Sequence, residues 1–168
     1  MKRMKYFLMG TALLTIGAMA NQALAQTCAV GTQQVPLKGK IFNNLTATGR
    51  TLGVVSLVLG DEKRNAVKAK CGIIGDPLPA DPSFALKFTH TIVCEEHSQL
   101  SFATQGNITN AFPTGMISFE EFSTPILTLP KTGLFANITT GSAITIVGTL
   151  NSLGEIDMTF EGNACFLP

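Results

Sequence analysis

Toward its C-terminal end the chain alternates cleanly. Ile156, Met158 and Phe160 fall on one side of an extended segment, with Glu155, Asp157, Thr159 and Glu161 on the other. A period of two is that of a strand with one buried face. Just upstream, residues 143–150 form a β-branched run with Ile144, Ile146 and Leu150 in phase. Asn151-Ser152-Leu153-Gly154 supplies the turn chemistry for a four-residue hairpin loop between the two runs.

The same reading along the chain predicts eight strands, at 38–45, 51–59, 65–74, 84–94, 98–108, 116–122, 143–150 and 155–163. Thr48-Gly49, Gly60-Asp61, Gly75-Asp76-Pro77, Gly106-Asn107 and Pro113-Thr114-Gly115 punctuate them as turns. No helical period competes. Short strands at close spacing mean an all-β fold, either a β-sandwich or a closed barrel. Residues 123–137 are the exception: Pro125 and Pro130 interrupt any strand there, so a long loop or an edge segment is predicted.

In the strand at 84–94, Phe84, Leu86, Phe88, His90 and Ile92 share one face, which turns His90 inward. A three-residue loop of Glu95-Glu96-His97 sets Cys94 opposite Ser98 and His90 opposite Phe102. A slip of one residue would turn Leu100 and Phe102 to solvent, which selects this register.

One stretch carries a family likeness. Thr132-Gly133-Leu134-Phe135-Ala136, then Gly148-Thr149-Leu150, then a strand ending at Phe160-Glu161-Gly162, resembles the C-terminal part of allene oxide cyclase-like and dirigent-like barrels. Lys131 stands where those families have their first glycine, and Asn137-Ile138 where they have Gly-Ala. The match covers roughly a fifth of the chain and consists mostly of turn glycines. The resemblance implies an eight-stranded antiparallel β-barrel, with the β-sandwich as the alternative. It also implies cyclase or isomerase chemistry, in which the protein mainly holds a reactive hydrophobic substrate in shape. None of those families' catalytic residues has a match, and none is transferred.

Residues 1–25 have the form of a signal peptide. Lys2, Arg3 and Lys5 precede an apolar core, and Ala23-Leu24-Ala25 forms a cleavage box, so a secreted or periplasmic product beginning at Gln26 is expected. Residues 26–168 then make one domain. Cleavage leaves nine basic against 11 acidic residues, a balance of −2 with no basic field for nucleic acid. It also removes the only tyrosine, and there is no tryptophan. An integral outer-membrane barrel would need aromatic girdles, so no membrane span is expected; sugar binding loses its usual stacking platforms.

Four cysteines in an exported chain predict two disulfides among Cys28, Cys71, Cys94 and Cys165. Three pairings exist. In an up-and-down barrel with these strands, Cys94 and Cys165 reach one rim and Cys71 the other, which favours Cys94–Cys165 with Cys28–Cys71.

Candidate chemistry is sparse. His90 is an inward polar residue near Phe88 and Phe102, able to contact a ligand or to remain a hydrogen-bonded core residue. His97 is a solvated turn residue. His90 and Cys94 lie about 13 Å apart along a strand, too far to share a metal ion, so neither metal nor cofactor is expected. Of the pair Glu120-Glu121 one must point inward, and Glu120 is taken as the candidate. Nucleophile elbows, phosphate loops and zinc-protease helices are absent. Sequons at Asn44, Asn107 and Asn137 are expected to stay bare in a bacterial-type exported chain. The leading expectation is a binding module for a small hydrophobic molecule held by Phe88, His90, Phe102 and Glu120. A cyclase-type enzyme and a structural protein with a filled core are the alternatives.

Overall fold

The computed structural model describes residues 27–79 and 82–168. Eight antiparallel strands close into a barrel in which each pairs with its chain neighbours and the last returns to the first. They are β1 (Gln33–Leu45), β2 (Thr51–Leu59), β3 (Val67–Pro77), β4 (Leu86–Cys94), β5 (Gln99–Ala111), β6 (Ile117–Pro125), β7 (Ala143–Leu150) and β8 (Glu155–Phe166). The ladder from Gln33↔Phe166 to Asn44↔Glu155 forms the seam. One sheet closed on itself leaves no edge and no second layer, which sets the sandwich aside.

Alternation does the sorting between inside and outside. Ile41, Val55, Leu57, Ile73, Ile92, Leu100, Phe102, Ile146, Met158 and Phe160 point inward and are buried. The intervening outward positions carry lysines, acids and, on β1 to β4, exposed apolar residues such as Val54 and Val93. The predicted register holds: His90 pairs with Phe102. The loop 95–97 is a tight turn in which Glu96 and His97 take positive φ, with Cys94 N–H donating to Ser98 O at 2.8 Å.

The two ends of the barrel differ. At one, here the loop end, hairpin loops 46–50, 78–85, 112–116 and 151–154 connect neighbouring strands. At the other, the plugged end, residues 126–142 cross the opening. That segment, expected as a long loop or edge, is a plug: Phe135 and Ile138 are 1% and 2% exposed. Ser98 Oγ accepts a hydrogen bond from Leu134 N–H at 2.9 Å, and Lys131 Nζ donates to Ile138 O at 2.6 Å. β6 also runs to Pro125, past the predicted end at Phe122, because a proline at a strand terminus removes no essential ladder bond.

Two disulfides are present, and all four cysteines are bonded. Their pairing corrects the expected one: the bonds are Cys71–Cys94 and Cys28–Cys165. Gly75-Asp76-Pro77, taken as a turn in the sequence, belongs to the sheet, with Asp76 opposite Thr89 and Pro77 opposite Phe88. The true connection is 78–85, and that shift brings Cys71 directly across from Cys94. Cys28–Cys165 ties the segment before β1 to the end of β8. Among the described residues no helix is long and apolar enough to cross a membrane. Two disulfides are compatible with an oxidising, extracytoplasmic compartment. The expected signal peptide lies outside the described residues.

Candidate functional site

The loop-end half of the barrel interior is not filled. A cavity of about 120 Å³ lies there, with Leu86, Phe88, Phe119, Ile156 and Met158 among its apolar walls and Asn43, Thr51, His90 and Glu121 as its polar ones. The polar residues come from β1, β2, β4 and β6. Each sits at an inward position of its strand, where alternation alone would call for an apolar side chain. All four are buried, between 2% and 5% exposed.

Buried polar atoms normally find partners. Here Asn43 Oδ1 and Nδ2, Thr51 Oγ1, His90 Nδ1 and Thr104 Oγ1 make no hydrogen bond of regular geometry. Leaving one such group unsatisfied costs about 1–3 kcal/mol. Those of Asn43, Thr51 and His90 belong to residues that line this one cavity.

Glycines make the room. Gly75 lies between Thr51 and His90 in the ladders of β2, β3 and β4. A methyl group there would come within 2.6 Å of His90 Nδ1 and would strike Thr51 Oγ1. Gly53 does the same for Asn43, whose side chain occupies the space a Cβ would take. The polar side chains therefore fold over backbone that carries no side chain of its own.

Burial also sets the charges. It holds the His90 imidazole down to about 4, against a smaller upward pull from the Asp76 carboxylate. Asp76 itself lies outside, 2.5 Å from Arg50 Nε. Burial pushes the Glu121 carboxyl up, partly offset by the adjacent Thr104 hydroxyl. No lysine or arginine lines the cavity. His90 is thus neutral at physiological pH, and the site offers an anion no compensating charge.

The expected site residues divide. His90 and Phe88 line the cavity, their rings 5.4 Å apart. Phe102 does not; it stacks on His90 at 5.3 Å and faces a second cavity of about 50 Å³ beneath the plug. Glu120 points outward beside exposed Val147, and Glu121 is the buried member of the pair. That corrects the choice of Glu120. The parity of β6 settles it, because Phe119, Glu121 and Ser123 share the buried face. Asn43, Thr51 and Thr104 were overlooked, although each is in phase with apolar neighbours: Asn43 with Ile41, Thr51 with Val55, Thr104 with Phe102. A polar residue in the inward phase was the available signal. No group of three metal-ligating side chains occurs among the described residues.

The chain matches no family model, no curated protein and no solved structure at a significant level.

Proposed function

We propose that this barrel is an exported binding protein for a small, uncharged molecule with an apolar body and one hydrogen-bonding end, held at the loop end with that polar end against His90. The observation that carries the reading is that the buried, unpartnered atoms of Asn43, Thr51 and His90 all belong to residues lining one cavity. An apolar body suits Phe88, Phe119, Ile156 and Met158. A neutral polar end suits a site where His90 is uncharged and no cation is at hand. The cavity is close in size to the roughly 150 Å³ cavity known to bind benzene, which limits the enclosed part to about one ring.

Phenol, benzene and benzoate test it. Titration into the oxidised protein, followed by methyl NMR at Ile156 and Met158, should give saturable shifts with phenol. Benzene should bind about tenfold more weakly, the worth of one hydrogen bond. Benzoate should not bind. In His90→Phe the preference for phenol should vanish. Equal affinity for all three, or no saturable shift, overturns the reading.

A second reading rests on His90 and Glu121 facing the same cavity. A neutral imidazole can take a proton from carbon while a protonated carboxyl donates to the developing oxyanion, which is isomerase chemistry. Cyclopentanone in deuterated water is a direct probe. His90 would remove an α-proton as Glu121 protonates the oxygen, and reversal from solvent-exchanged groups would return deuterium to carbon. Exchange no faster than with His90→Phe rejects an enzymatic role.

A further inference from the structure

On the outer wall of β1–β4, apolar side chains stand exposed in register. Phe42 pairs with Val54, Val54 with Gly72 and Gly72 with Val93, while Leu52 pairs with Ile74 in the next outward row toward the loop end. Phe42, Leu52, Val54, Ile74 and Val93 are each 42–57% exposed. Gly72 has open space above it. At the adjoining rim Leu78 is exposed, and so is Leu153, by 82%. Contiguous apolar surface of this kind marks an interaction site.

The same strands carry lysines. Lys40 and Lys70 stand two residues from Phe42 and Gly72 toward the plugged end, roughly 7 Å along the wall, and Lys38 and Lys68 a further two residues on. Lys38 meets Glu62 at 3.3 Å. Lys40, Lys68 and Lys70 form no ion pair among the described residues. Seven of the nine cations beyond residue 25 fall between residues 38 and 70, although the chain beyond residue 25 is net acidic.

We propose that this face docks on an anionic lipid bilayer, with the loop-end rim and the apolar rows entering the interface and the lysine rows lying at the phosphates. Along the barrel axis the apolar rows lie toward the loop end, with the mutually neutralising Arg50–Asp76 pair at the rim, and the lysines stand one to two rows behind. The contact is peripheral. Glu155, Asp157, Thr159 and Glu161 occupy the outward positions of β8, beside β1, and end the patch there. A wall of that kind cannot face hydrocarbon all round.

The test uses the oxidised protein and vesicles of phosphatidylethanolamine with phosphatidylglycerol, against vesicles of phosphatidylcholine. Cosedimentation should favour the anionic vesicles and weaken with salt. Each of Lys40→Gln and Lys70→Gln should lower affinity about fivefold. The chain beyond residue 25 lacks tryptophan and tyrosine, so Phe42→Trp gives a single reporter whose emission should shift to the blue on anionic vesicles. Circular dichroism melts confirm that the variants fold. The proposal is overturned by equal binding to both vesicle types, by an unshifted Phe42→Trp spectrum, or by affinity indifferent to the lysines. A concentration-dependent dimer abolished by Val54→Asp would also overturn it, assigning the face to a second copy of the chain.

Discussion

Gly75 lies directly across from His90 in the β3–β4 ladder, and the missing side chain at Gly75 is what gives the imidazole its place inside the barrel. Gly75→Ala should therefore displace the ring. Overpacking of this sort costs about 1–3 kcal/mol. Thermal melting should show the loss, and phenol binding should fall with it. An unchanged melting temperature would mean that the wall yields without moving His90.

His90 makes stability pH-dependent. It is held at about 4 in the folded protein, against about 6.5 when exposed. Between those values the unfolded chain binds a proton that the folded one does not. Stability is then full above about pH 6.5 and falls as pH drops toward 4, by about 3 kcal/mol over the window. His90→Phe removes both the titration and an unpartnered nitrogen, so its denaturation midpoint should be flatter between pH 6.5 and 4. A wild-type profile with no slope there contradicts the burial argument.

Glu121 has the opposite sign. Its folded-state carboxyl is raised above 4.5, so the folded protein keeps a proton that the unfolded chain releases, and stability falls as pH rises from 4.5 through the folded value. Glu121→Gln should flatten that limb. A limb left unchanged in Glu121→Gln would contradict the inward assignment of Glu121.

Peptide mapping without reduction should recover a Cys71 to Cys94 peptide and a Cys28 to Cys165 peptide. By chain-entropy reasoning the bond spanning 137 residues is worth roughly 5 kcal/mol and the one spanning 23 roughly 3. Cys28→Ser with Cys165→Ser should thus lower the urea midpoint more than Cys71→Ser with Cys94→Ser. The reverse order would count against the seam as the part most in need of the bond.

What the sequence disclosed followed from periodicity. Eight strands, the inward His90 and its pairing with Phe102 were legible because a period of two leaves only two choices of face. The same parity could not say which member of Glu120-Glu121 turns inward until the phase of the whole strand was fixed by Phe119. Gly75-Asp76-Pro77 misled because turn-forming residues are also tolerated at the end of a strand, where the space left by Gly75 serves His90. The plug was hidden for a different reason. Phe135 and Ile138 are buried by tertiary contact across the barrel end, and no local pattern announces such contact.

The seam between β1 and β8 has a consequence for how the chain reaches this structure. Seven of the eight ladders join consecutive strands, so they can form as hairpins with small loop-closure entropy. The eighth must bring together strands from opposite ends of the sequence, and such non-local pairing is slow. Cys28–Cys165 crosses that gap. With the bond in place the seam becomes in effect another local pairing. The oxidised chain should therefore refold faster than one lacking Cys28–Cys165, while loss of Cys71–Cys94, within a single hairpin, should change the refolding rate much less. Stopped-flow refolding from urea measures the difference, and equal rates would place closure of the barrel before the rate-limiting step.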